Sequence, residues 1–240
     1  MIDLRDFEAL TFDCYGTIVD WEAGILAALA GPRERFAVEL GDEAVLAEFA
    51  AAESQLEAEH PGMPYRQILR GVYEELASSW CINATAADTD AFADSVGQWP
   101  PFDDSKATLE YLGQHYVLGI LSNVDRASFA ATREKLGIEF DEVMTAEDIG
   151  SYKPDRRNFE FAIARMGERG IEKSKILHVA QSLYHDHVPA KALGLATVFV
   201  DRRAGRSGSG AVKAPAVDVT PDLTVPDLAT LAAMHREAIA

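Results

Sequence analysis

Apolar residues follow two different spacings along this chain. From residue 22 to 98 they recur at helical intervals in Ala-, Glu- and Leu-rich sequence, with no strand pattern between them. The spacing predicts helices over 22–40, 43–59, 65–80 and 87–98, with breaks at Gly31-Pro32, at Gly41 and across His60-Pro61-Gly62-Met63-Pro64. Outside that stretch, short continuous apolar runs alternate with helical ones. The runs at 10–12, 116–121, 142–145, 175–180 and 196–200 have the length and β-branched content of buried strands. Helices are expected between them at 103–115, 126–136, 156–168 and 186–193, and a last one from Pro226 onward. Strand–helix alternation with two-sided apolar strands predicts an α/β protein: a doubly wound, Rossmann-like parallel sheet core, with a helical insert after the first strand. Trp99-Pro100-Pro101-Phe102 marks the end of the insert, since consecutive prolines cannot continue a helix. Residues 202–215, rich in Arg, Gly, Ser and Pro, read as a mobile loop.

The strand ends carry the candidate chemistry. In a parallel sheet the carboxyl ends face one crevice, where ligands bind. The first strand ends in Asp13, followed by the turn glycine Gly16 and by Thr17; the second ends in Ser122-Asn123; the third leads to Lys153; the fourth leads to His185-Asp186. A carboxylate at such an end can act as a nucleophile that forms an ester with the substrate. Singly, each residue has an ordinary alternative: Asp13 starts a turn, Ser122 or Asp186 caps a helix, and Lys153 is a solvated surface residue. Their joint occurrence, in this order, favours a catalytic set. His178, His185 and His187 are weak as a metal site, because neighbouring residues on a helix diverge. The Arg202, Arg203, Arg206 group reads as part of the solvated loop, with a gate for an anionic substrate as the alternative.

Composition narrows the partners. With 39 acidic and 22 basic residues in 240, the net charge of −17 argues against nucleic acid or an anionic membrane surface. No apolar run reaches membrane-spanning length and no signal-peptide pattern is visible. Two cysteines, Cys14 and Cys81, make no disulfide framework, which fits a reducing, cytoplasmic setting. Cys14 reads as a small packed residue beside the turn.

The segments F-D-C-Y-G-T-I-V-D-W at 12–21, L-S-N at 121–123 and Y-K-P-D at 152–155 resemble the motifs of the haloacid dehalogenase (HAD) superfamily, in order and spacing. The chain is most similar within it to the type II (S)-2-haloacid dehalogenases, and closer still to the related L-azetidine-2-carboxylate hydrolases. The resemblance implies a HAD core over 1–17 and 100–240 with a helical cap domain over 18–99, a homodimer, no cofactor, and a small 2-substituted carboxylate as substrate. It implies that Asp13 is the nucleophile, Lys153 its charge partner, Ser122 a hydrogen-bond donor and Asp186 the residue that handles water. Tyr15, Thr17, Trp21, Asn123 and His185 would contact substrate. A phosphatase or a catalytically silent binding protein is the weaker reading.

Two departures shape that expectation. Superfamily phosphatases carry an acid two residues after the nucleophile, where this chain has Tyr15, and a metal-binding Gly-Asp pair, where it has Ala180-Gln181. Without that acid an alkoxide leaves poorly, a loss of about 10²–10⁴-fold, whereas a halide or an already protonated ring nitrogen needs no proton. The dehalogenases also cradle halide with a cap Arg. That position falls near Ala44 here, leaving Arg33 and Arg35 as the nearest substitutes, and Leu183 stands where their fourth motif has a polar residue.

Overall fold

The computed structural model describes residues 2–206, 208 and 210–240. After a 3₁₀ turn at Leu4–Asp6 comes strand β1, Ala9–Phe12, buried along its whole length. Four helices follow, α1 (Trp21–Arg35), α2 (Asp42–Glu59), α3 (Tyr65–Ser79) and α4 (Ala86–Ala93), then a 3₁₀ turn at Asp94–Gln98. Alternation begins there: α5 (Ser105–Leu112), β2 (Val117–Ser122), α6 (Arg126–Leu136), β3 (Glu142–Thr145), α7 (Ala146–Ile149), α8 (Arg156–Glu168), β4 (Ile176–Ala180), α9 (Val188–Ala192), β5 (Ala196–Val200), β6 (Leu223–Val225) and α10 (Leu228–Ile239).

All strand pairs are parallel, in the order β3-β2-β1-β4-β5-β6. The expected α/β sheet is therefore present, with β1 at its centre. Phe12 lies beside Ile120 and Val179, so the chain leaves β1, β2 and β4 at nearly the same level. Period-two alternation sorts the strand residues onto two faces. Leu10, Phe12, Leu118, Ile120, Leu177, Val179, Val198 and Val200 join Leu109 and Leu112 of α5 and Leu228 and Leu231 of α10 in one apolar cluster. Ala9, Leu121, Met144 and Ile176 join Phe159, Ala162 and Met166 of α8 and Ala190 of α9 in another. Both faces are covered, which is why the strands read as unbroken apolar runs.

The four helices after β1 pack on one another through Phe49, Ile68, Leu69, Val72, Tyr73 and Phe92, all buried. α1 sits on Trp99 at Gly24, where a Cβ would overlap the Trp99 side chain, far inside van der Waals contact. Gly24→Ala should therefore lower stability by about 1–3 kcal/mol despite alanine's better helix propensity, because the indole is 2 % exposed and has nowhere to move. Thermal denaturation reads this; an unchanged or higher Tm would contradict the packing.

Several elements differ from the sequence expectation. α1 winds through Pro32 and stops at Arg35 rather than 40, since a proline in the last turn removes only one amide from a ladder that is about to end. Residues 94–98 tighten into 3₁₀, and the helix expected at 186–193 is split into a π turn, Leu183–His187, followed by α9. α7 and β6 were not expected; four and three residues are too short to show a period. The 202–215 segment is not a solvated loop at its start. The Arg202 side chain is 8 % exposed: it bonds the Thr17 carbonyl and Asp104 and lies 4.0 Å over the Phe102 ring. Arg203, 11 % exposed, pairs with Glu22 of α1 and Glu43 of α2. Positions 207 and 209 of that segment lie outside the described residues.

Candidate active site

The turn after β1 places Asp13. The Cys14 carbonyl accepts the amides of Thr17, Ile18 and Val19, which folds the chain back at once. Gly16 has φ +97°, and a Cβ there would meet Trp21 Nε1 at 3.1 Å and Gln181 Oε1 at 3.2 Å, so the turn needs glycine on both counts. The Asp13 amide bonds the Val179 carbonyl, fixing the residue to β4. Thr17 Oγ1 donates to Asp13 Oδ2 at 2.8 Å and accepts the Gln181 amide at 2.9 Å, linking the first and fourth strand ends through one hydroxyl.

Lys153, 2 % exposed, spends its three ammonium hydrogens on Asp13 Oδ1 at 2.8 Å, Asp186 Oδ1 at 2.7 Å and the Leu121 carbonyl at 3.0 Å. Asn123 holds this lysine's backbone from both sides: its Oδ1 accepts the Lys153 amide at 2.7 Å and its Nδ2 donates to the Lys153 carbonyl at 3.1 Å. Asp186 Oδ1 also accepts His178 Nε2 at 3.0 Å, while Thr11 Oγ1 lies 3.0 Å from His178 Nδ1. His178 is thus a buried brace behind Asp186. His187 is likewise structural, donating from Nε2 to the Ala180 carbonyl.

The electrostatics follow from burial and one shared cation. Burial alone would push the Lys153 ammonium down, but Asp13 and Asp186 outweigh it and keep it protonated, above its ordinary value. Burial and the neighbouring Asp186 charge push the Asp13 carboxyl up; Lys153 and Thr17 act against that. Burial also penalises the Asp186 anion, yet Lys153 and His178 prevail and hold its carboxyl well below the usual range. Burial takes His185 down to about 4, so its ring is neutral near pH 7. Burial pushes the Cys14 thiol far up, which leaves it an inert packed residue.

These groups border one cavity of about 40 Å³, room for about three water-sized groups. Asp13, Tyr15, Trp21, Ser122, Asn123, Lys153, His185 and Asp186 all line it. Thr17 sits behind Asp13. Tyr15 presents its ring: its hydroxyl is tied to Thr132 at 2.7 Å, and burial keeps the phenol protonated. Trp21, at the start of α1, packs edge-on against Phe49 of α2. Ser122 Oγ and Asp186 Oδ2 are buried without a hydrogen-bond partner among the described residues. Arg33 and Arg35 are not part of the cavity; Arg33 pairs with Asp42 and Arg35 with Asp88.

Glu53, Glu57 and Tyr65, from α2 and α3, also line the cavity and escaped the sequence reading. Glu53 and Glu57 are each 5 % exposed, one helical turn apart on the same face of α2. Tyr65 donates its hydroxyl to Glu53 at 2.6 Å, and Asn123 Nδ2 lies 3.2 Å from both Glu57 oxygens. Their signal was present as glutamates on an apolar stripe, but an acidic residue in a helix usually means a solvated face. Burial pushes Glu53 up to about 7, and burial with the Glu53 charge pushes Glu57 well above the carboxylate range. A carboxyl whose folded value lies above its ordinary 4.5 keeps its proton better folded than unfolded, so its full contribution is present below pH 4.5 and is lost as pH rises through 7. Glu53→Gln should then raise Tm by about 5–10 °C at pH 8 and by much less at pH 5. An equal gain at both pH values would contradict a protonated Glu53.

The residues present do not fit a magnesium ion at the phosphatase position. Gln181 stands where the binding Asp would be, the ammonium of Lys153 already occupies the space between Asp13 and Asp186, and among the described residues no three His, Cys, Asp or Glu side chains converge as a metal site. Likewise, no helix among the described residues is long and apolar enough to cross a membrane.

Comparison with known proteins agrees with this architecture. A family model described as haloacid dehalogenase-like hydrolase matches residues 7–194. The (S)-2-haloacid dehalogenase 4A of Burkholderia cepacia is 24% identical over 212 residues, covering 85% of this chain and 86% of that protein. The glyceraldehyde 3-phosphate phosphatase of Methanothermobacter thermautotrophicus is 29% identical over 123 residues, 50% of this chain and 53% of that protein, so the match spans about half its length. Among solved structures, L-2-haloacid dehalogenase from Xanthobacter autotrophicus with chloropropionic acid covalently bound superposes with a TM-score of 0.78, covering 96% of this chain and 98% of that one at 17% identity, which establishes a shared fold.

Proposed function

The chain belongs to the haloacid dehalogenase-like hydrolases, and on that footing we propose that it displaces a leaving group from the α-carbon of a small 2-substituted carboxylate. The observation that carries this reading is Lys153 held between Asp13 and Asp186, with Tyr15 and Gln181 in place of a general acid and a metal ligand. In this mechanism an Asp13 oxygen attacks the α-carbon, the bond to the leaving group breaks, and that group departs with the electron pair. Lys153 keeps Asp13 ionised and aimed. Ser122, whose hydroxyl has no protein partner, donates to the substrate carboxylate. Water, positioned at the free Oδ2 of Asp186 and beside neutral His185, then adds to the ester carbonyl. The α-oxygen leaves with a proton as the hydroxyl of a 2-hydroxy acid, and Asp13 returns as carboxylate. Residues 18–99 act as a cap domain, with Glu53, Glu57, Tyr65 and Trp21 enclosing the substrate.

The leaving group of the dehalogenase reading is halide. Ring opening of L-azetidine-2-carboxylate is the second reading, favoured by the placement of Arg33 and Arg35 in ion pairs away from the cavity, which leaves no arginine among the residues that line it. There the protonated ring nitrogen leaves as the amine of 4-amino-2-hydroxybutanoate. Single turnover in heavy-oxygen water tests the shared chemistry. Label should enter Asp13, with halide released from (S)-2-chloropropanoate or amine from the azetidine in the presence of a chelator. Label appearing directly in the product would overturn the ester route.

A further inference from the structure

Charge is distributed unevenly around the cavity. Four carboxyl side chains line it, Asp13, Asp186, Glu53 and Glu57, against one ammonium, Lys153. That ammonium is already committed to Asp13, Asp186 and the Leu121 carbonyl. Glu53 receives one hydroxyl and Glu57 one side-chain amide; no cation pairs with either among the described residues. Two carboxyls one turn apart in a buried wall repel one another when ionised, so they keep their protons unless something of opposite charge enters to hold them as carboxylates. A second observation points to a ligand in the same place: Ser122 Oγ, 2 % exposed, borders this cavity with no hydrogen-bond partner among the described residues.

We propose that Glu53 and Glu57 form a subsite for a cationic nitrogen, so that the substrate class is a small carboxylate carrying a protonated amine on its α-carbon. The proposal rests on the displacement reading only in taking the same cavity as the substrate site, and it names what that reading leaves open. Ser122 takes the substrate carboxylate, the two glutamates take the ammonium, and Asp13 faces the carbon between them. A halide-bearing acid, by contrast, brings no positive charge to set against the two carboxyls of that wall.

The test compares two unreactive probes with the wild-type chain by calorimetry. L-2-aminobutanoate and 2-methylbutanoate have the same number of heavy atoms, and neither has a group that a carboxylate can displace, so the result is independent of any ester at Asp13. The amine-bearing probe should bind at least about 30-fold tighter, a preference well within that of a charge-assisted, buried contact. Glu57→Gln and Glu53→Gln should each cut the ratio by about tenfold, and the double variant should abolish it without weakening 2-methylbutanoate. Equal affinities in the wild type, or a preference that survives the double variant, would overturn the subsite. Label going straight to product in the single-turnover experiment, with the preference intact, would instead remove the Asp13 ester and leave the subsite standing.

Discussion

The Asp13→Asn variant is expected to lose about 10⁴-fold or more of its turnover while remaining folded. Asparagine has the same shape, still accepts from Thr17 and still faces Lys153, which keeps Asp186 as its ionic partner. What disappears is the anion that forms the ester in the proposed mechanism, and neither neighbouring nucleophile replaces it: Asp186 Oδ1 is held by both Lys153 and His178, and the Cys14 thiol is buried and protonated. The measurement is leaving-group release in a single turnover beside the melting curve of the same preparation. Residual activity above about a tenth of wild type would place the nucleophile elsewhere.

Removing the cation should cost both activity and stability. In Lys153→Met, Asp13 and Asp186 remain buried, two carboxylates with no charge between them. Breaking a buried pair by deleting one partner typically costs about 3–5 kcal/mol, a fall in Tm of about 10 °C for a chain of this size. The pH dependence has a definite sign. In the wild type Asp186 is held below its ordinary value, so its contribution is present above pH 3.8 and is lost as pH falls below that. In the variant both carboxyls rise above their ordinary values, so the folded state retains protons that the unfolded chain releases, and stability declines as pH rises through neutrality. The two Tm curves should converge near pH 4 and separate most above pH 7. A constant gap across that range would mean that the lysine acts through packing alone.

Residues local in sequence were the easiest to read. β1, the turn at Gly16 and the strand ends at Ser122, Lys153 and Asp186 announce themselves through apolar runs and the polar residues that stop them, and the structure brings Asp13, Ser122, Lys153 and Asp186 to one cavity. α6, α8, β3 and β5 follow the same rule and begin and end where the pattern does. Glu53 and Glu57 were missed because their meaning depends on what α2 packs against, and a glutamate facing water has the same spacing as one facing a buried cavity. Arg202 and Arg203 were misread for a related reason. A stretch of Arg, Gly and Ser has loop composition, but nothing local tells that Phe102, Asp104, Glu22 and Glu43 wait across the fold to bind the two guanidinium groups.

The place of β1 at the middle of the sheet has a consequence for how the chain is made. β1 leaves the ribosome ahead of both its hydrogen-bonding neighbours, β2, which begins at Val117, and β4, which begins at Ile176. At a synthesis rate of about 5–20 residues per second, the central strand waits on the order of ten seconds for its second partner. Both edges of this apolar segment are unpaired until β2 emerges, and one stays open to other nascent chains until β4 follows. Asp13 emerges with it, but meets Lys153 and Asp186 only once the fourth strand end is out. A stalled or shortened translation product would carry the proposed nucleophile without its partners, so activity should appear in one step late in synthesis rather than accumulate with length.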